Sequence, residues 1–155
     1  MKVMMRTLAV VSALACASIA HAQTDPNVGT WKLNLAKSKY TAGQPPKSST
    51  VSVAAAGQGI MVVSDTVLAD GTNRKISYTA TYDGKDAKVT GTPDYDMVSI
   101  TRKGNTLDGV RKKGGKQVQT FKTVVSADGK TRTTTATGTN AAGEKVDNVQ
   151  VYDRQ

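Results

Sequence analysis

With 155 residues and 21 Lys and Arg against 12 Asp and Glu, the chain is basic, at +9, and sized for a single domain. Its only cysteine, Cys16, and its only histidine, His21, fall within the first 22 residues. A chain without that stretch has no disulfide, no cysteine nucleophile, no Ser-His-Asp triad, no histidine ligand for haem and no zinc site of the usual ligand types.

That first stretch reads as an export signal. Met1–Thr7 carries Lys2 and Arg6 and no acid, Leu8–Ala17 is apolar apart from Ser12, and Ala20-His21-Ala22 places small residues where a signal peptidase reads. The apolar run is about half what a membrane-spanning helix needs. Residues 1–22 are therefore expected to be removed by cleavage after Ala22, giving a periplasmic or secreted protein. Ala13-Leu14-Ala15-Cys16 loosely resembles a lipobox, so lipidation at Cys16 is the lesser alternative.

Residues 23–28 look like a short, frayed, flexible leader, and 29–155 form the domain. Gly29–Leu35 alternates and reads as the first strand. Ala36–Ser48, with Pro45-Pro46, is a loop with room for one helical turn at Ala36–Lys39. Strands follow at Thr50–Ala55, Ile60–Leu68, Arg74–Tyr82, Ala87–Thr90, Met97–Arg102, Leu107–Lys112, Lys116–Ser126, Thr131–Thr139 and Lys145–Tyr152. Threonine and valine dominate them and suit a pleated, half-buried surface. Gly57-Gln58-Gly59, Asp70-Gly71, Asp83-Gly84, Gly104-Asn105, Gly114-Gly115, Asp128-Gly129 and Gly143 punctuate them as tight turns. No long helical period separates the strands. The pattern predicts an all-β, antiparallel up-and-down meander of nine or ten strands, closed into a barrel so that apolar Ile60–Leu68 is not left at an edge.

Candidate chemistry is sparse. Asp94-Tyr95-Asp96 puts two carboxylates at strand spacing, as glycosidases use, but Pro93 and Gly91 favour a turn with solvated acids. Asp83-Gly84-Lys85-Asp86 lacks the oxygens a calcium site needs, so no metal and no cofactor are expected. Thr131, Thr133, Thr135, Thr137 and Thr139 share one face, expected to be an ordinary exposed one. Arg111, Lys112, Lys113 and Lys116 gather at one hairpin tip, a basic surface able to meet an anionic membrane. Aromatics do not interleave with the basic residues, so nucleic acid is not an expected partner. Trp31 is expected to plug one barrel end. Ile76, Tyr78, Ala80 and Tyr82 share a face that can line a cavity, where Tyr78 and Tyr82 would touch a ligand. Arg102, inward by alternation with Val98 and Ile100, would pair with an acidic headgroup.

Gly29-Thr30-Trp31 resembles the Gly-x-Trp motif of lipocalins. With Lys32-Leu33-Asn34, Lys37-Ser38-Lys39-Tyr40, Pro45-Pro46-Lys47-Ser48, Tyr82-Asp83-Gly84-Lys85-Asp86 and Val151-Tyr152-Asp153, it resembles an uncharacterised family of small secreted bacterial proteins. The resemblance covers nearly all of the chain after the signal. It implies a lipocalin-like barrel with a possible cavity and brings no ligand with it. An arginine packed on the motif tryptophan is typical of lipocalins, and only Arg154 lies late enough. Fatty-acid-binding proteins fit less well, because Ala36–Ser48 is too short for their helical lid and their Arg-x-Tyr on the last strand is absent.

The expected function is an exported, monomeric, non-enzymatic binding protein for a small, mostly apolar ligand. The alternative is an envelope interaction or stress protein with a packed interior that acts through its basic surface.

Overall fold

The computed structural model describes residues 25–155. The expected signal peptide, its cleavage site at Ala22 and Cys16 lie outside the described residues. Ten strands run in order: β1 (Gly29–Leu33), β2 (Ser48–Ala56), β3 (Gly59–Val67), β4 (Asn73–Thr81), β5 (Ala87–Thr90), β6 (Met97–Lys103), β7 (Thr106–Lys113), β8 (Lys116–Val125), β9 (Thr131–Thr139) and β10 (Lys145–Arg154). Each pairs antiparallel with its neighbours in sequence, and β1 pairs with β10 through Trp31↔Arg154, Lys32↔Asp153 and Leu33↔Tyr152, closing a barrel. The result is an all-β barrel of lipocalin-like architecture, with the expected meander at its upper strand count.

Closure follows from period-two burial. On β6, Val98 and Ile100 point inward; on β9, Arg132, Thr134 and Ala136 do so, while Thr135 and Thr137 face solvent. The threonine face is the exposed outer surface, as expected. Turn chemistry sets the register. At the β7–β8 hairpin, Gly114 and Gly115 both have positive φ (+55° and +78°), the two-residue geometry that matches strand twist.

The ends of the barrel differ. One carries the β2–β3, β4–β5, β6–β7 and β8–β9 turns, together with the start of β1 and the end of β10. It is filled by Trp31, Ile60, Val98, Ile100, Leu107 and Val125, all nearly or fully buried. Trp31, at 0% exposure, donates its indole N–H to the Asn27 carbonyl at 2.9 Å and lies 4.1 Å beneath the Arg154 guanidinium. Gly29 sits beside them at a φ of +142°, which residues with side chains rarely adopt, and a Cβ there would press on the Arg154 guanidinium that its own hydrogen bonds hold in place. The Gly-x-Trp spacing is thus a packing constraint.

Residues 25–28, expected as a frayed leader, instead cap this end. Asn27 is fully buried, and Arg154 donates to the carbonyls of Pro26 (2.7 Å) and Val28 (2.8 Å). Asp25 accepts from the Tyr82 hydroxyl and pairs with Arg102 at 2.9 Å.

The other end carries the long β1–β2 connection and the remaining turns. That connection contains one 3-10 turn at Leu35–Lys37. It then lies along β10 through the Lys39–Val149 bridge, with Thr41 accepting from Asp147 N (2.7 Å) and donating its N–H to Asn148 (2.9 Å).

Candidate functional site

A cavity of about 390 Å³ occupies the barrel interior above the Trp31 end and opens toward the β1–β2 connection. Strand alternation supplies its walls: Val51 and Ser49 from β2, Val62 and Ser64 from β3, Ile76 and Tyr78 from β4. Tyr40, Ala42, Gln44 and Pro46 roof one side of the mouth, while Thr92, Asp94 and Tyr95 of the β5–β6 loop flank the other.

Tyr78 lies where it was expected, in the cavity wall. Burial raises its phenol pKa, and its hydroxyl has no hydrogen-bond partner among the described residues. Tyr82 and Arg102 do not line the cavity. They share Asp25 at the closed end, with the Arg102 guanidinium 5.2 Å from the Tyr82 ring centre, and both act as structure there. Alternation predicted their inward direction correctly. It does not say how far along the barrel axis a residue lies, and these two sit past the floor of the cavity.

The expected basic tip divides. Lys113 and Lys116 are exposed at the turn, and Lys112 is held by Asp86 at 2.8 Å. Arg111 is a correction: it points into the cavity rather than to the surface. It belongs to the inward series Leu107, Gly109, Arg111, and a register shift follows it at Lys112, where β7 meets β8. A bulge of this kind re-aims side chains. Arg111 donates to Gln119 Oε1 at 2.8 Å and stacks 4.8 Å from Tyr95 and 4.7 Å from Phe121. Gln119 is in turn anchored to the Thr139 carbonyl at 2.9 Å.

A second interior arginine, Arg132 of β9, was not anticipated. It is 6% exposed and lies 5.9 Å from the Tyr152 ring centre. Its signal was present in the sequence, since the residues between the outward threonines must face inward. Burial pulls the Arg132 pKa down, and burial pushes the Tyr152 phenol up to about 12. The interior is therefore more polar than a mostly apolar ligand would require, and it is not packed. The alternative built on a filled barrel loses that premise.

Asp94 and Asp96 do not face one another as a catalytic pair. Asp94 guards the mouth, 3.8 Å from Arg74, and accepts from Ala141 N at 2.9 Å. Asp96 accepts from Gly114 N at 3.1 Å in the β7–β8 turn. Asp83 is held well below the usual carboxylate range, at about 2, by hydrogen bonds from Thr81 and Lys85 inside its own hairpin. Among the described residues, no three His, Cys, Asp or Glu side chains gather as metal ligands.

No protein-family model matches the chain. No curated protein matches it either. Solved structures do resemble it. A protein of unknown function from the DUF3598 family of Nostoc punctiforme PCC 73102 is 17% identical with a TM-score of 0.50, over 84% of this chain and 48% of that one. The chain thus spans about half the length of that protein. Zebrafish ileal bile acid-binding protein, crystallised with cholic acid, is 11% identical with a TM-score of 0.49, over 84% of this chain and 99% of that one. The likeness to the Nostoc protein is one of barrel fold alone.

Proposed function

We propose that the chain is an exported carrier in the bacterial envelope, matured by loss of residues 1–22, that takes one small, partly apolar molecule into its barrel. The observation that supports this reading most directly is the cavity, open at one end and floored by a packed core at the other. At about 390 Å³ it lies at the lower end of the range for small-molecule sites, about 300–1,000 Å³. Val51, Val62 and Ile76 offer apolar wall, and the free Tyr78 hydroxyl offers a hydrogen bond to orient what enters. Polar groups outnumber the apolar ones on the wall, and the strands hold many of them at fixed positions, so they can select what enters rather than merely solvate it.

The test is native mass spectrometry of protein purified from the envelope fraction of its own source, beside an Ile76→Trp variant that fills the cavity. A co-purifying small molecule on the parent protein, absent from the variant, is the expected result. Parent protein that is always empty, and that also takes up no neutral fluorescent probe such as N-phenyl-1-naphthylamine, would overturn the reading.

A further inference from the structure

We propose that the molecule this barrel accepts is an amphipathic organic anion whose charged end sits between Arg132 and Arg111, an inference that rests on the carrier reading above. The case begins with charge that has no counterpart. Arg132 is 6% exposed, its Nε has no hydrogen-bond partner, and among the described residues no carboxylate lies within ion-pair distance of it. A guanidinium stays protonated even in a protein interior, so burial without an acid leaves a positive charge short of solvation.

Arg111 enters the same space. Gln119 takes one of its donors, the rings of Tyr95 and Phe121 flank the guanidinium, and the side chain lines the cavity. The two cations also act on each other, Arg111 disfavouring the charged form of Arg132. Two like charges placed in one enclosed space are unfavourable until an anion joins them.

Among the described residues, the interior has no acid to spare. Asp94, the one carboxylate on the cavity wall, is at the mouth and already engaged by Arg74, Thr92 and Ala141. The Tyr78 hydroxyl adds an uncommitted donor near both arginines. Val51, Val62 and Ile76 complete the space with apolar wall that a bare inorganic ion would leave unfilled. Carboxylate, sulfonate and phosphate-ester heads share the chemistry required, since each accepts paired N–H donors from a guanidinium.

The experiment is a displacement titration. The anionic probe 8-anilinonaphthalene-1-sulfonate is bound to the protein and challenged in turn with decanoate, decanol and inorganic phosphate. Decanoate is expected to displace it at least tenfold more effectively than decanol, and phosphate not at all. Arg132→Gln is expected to weaken the anionic probe at least tenfold while leaving the neutral probe N-phenyl-1-naphthylamine within about threefold.

Arg111→Gln should act in the same direction, and it supplies the reading if Arg132→Gln fails to fold. Decanol competing as well as decanoate, or full anion affinity in both arginine variants, would overturn the anion assignment while neutral-probe binding keeps the carrier reading intact. Displacement by phosphate alone would overturn the amphipathic character of the ligand. Neither probe binding to the parent protein or to Ile76→Trp would overturn both readings together.

Discussion

Arg154 makes its contacts from a single side chain on the last strand. It donates to the carbonyls of Gly129 (2.6 Å), Val28 (2.8 Å) and Pro26 (2.7 Å) and covers the Trp31 ring at 4.1 Å. Those carbonyls belong to the N-terminal cap and the β8–β9 turn, so one planar fork joins three separate pieces of chain. Arg154→Ala is expected to cost about 3 kcal/mol in urea unfolding, because charge-assisted hydrogen bonds are lost and partly buried carbonyls are orphaned. Arg154→Lys is expected to recover less than half of that, since an ammonium cannot reproduce the fork or the stacking; a lysine variant as stable as the parent would refute the fork argument. Of the arginines, Arg154 was legible from its position relative to the Gly-x-Trp motif. Arg132 was legible in principle, as an inward member of the strand whose outward members are the threonines. Arg111 was masked by Lys112 and Lys113, because a run of basic residues suggests a solvated tip while the period from Leu107 places the first of them inside.

At the scale of elements, β5 is the weakly joined stave of the barrel. It shares two register pairs with β4 (Ser77↔Thr90, Tyr78↔Val89) and two with β6 (Ala87↔Val98, Lys88↔Met97), against nine between β3 and β4. The loop after it is steadied by Asp94, whose carboxylate faces Arg74 of β4 and accepts from Ala141 in the β9–β10 turn. Gly91 brings the same loop against β4 so closely that a side chain there would strike the Lys75 carbonyl. Asp94 is thus a latch across the mouth. Asp94→Ala is expected to raise the on- and off-rates of N-phenyl-1-naphthylamine together, several-fold in stopped flow, with Kd nearly unchanged and a stability loss under about 1 kcal/mol. Unchanged rates would place the entry route elsewhere. The strands themselves were legible because turn glycines recur wherever the alternating pattern breaks. The latch was not, since nothing local announces that the β5–β6 loop meets a turn 47 residues later in sequence.

For the whole molecule, the decisive asymmetry is one sealed end and one open end, and the seal depends on charge. Asp25 joins the segment before β1 to Tyr82 after β4 and to Arg102 of β6. Burial pushes its carboxyl upward, but hydrogen bonds from Tyr82, Asn27 and Arg102 outweigh burial and hold it below the ordinary value. A carboxylate depressed in the folded state contributes stability that is fully present above its unfolded pKa of about 4 and is lost as pH falls through the lower, folded value. The cap is therefore expected to loosen in acid and to be indifferent to pH between about 5 and 8. Other acids titrate in the same window, Asp83 and Asp128 among them, so a comparison with Asp25→Asn isolates the one that matters. Urea midpoints of the two proteins should differ by a constant amount above about pH 5 and converge as the pH falls through the lowered, folded value of Asp25, where the carboxyl takes up its proton and resembles the amide. A difference that persists undiminished into acid would mean that the carboxyl's shape, not its charge, holds the N-terminal segment in the barrel's end.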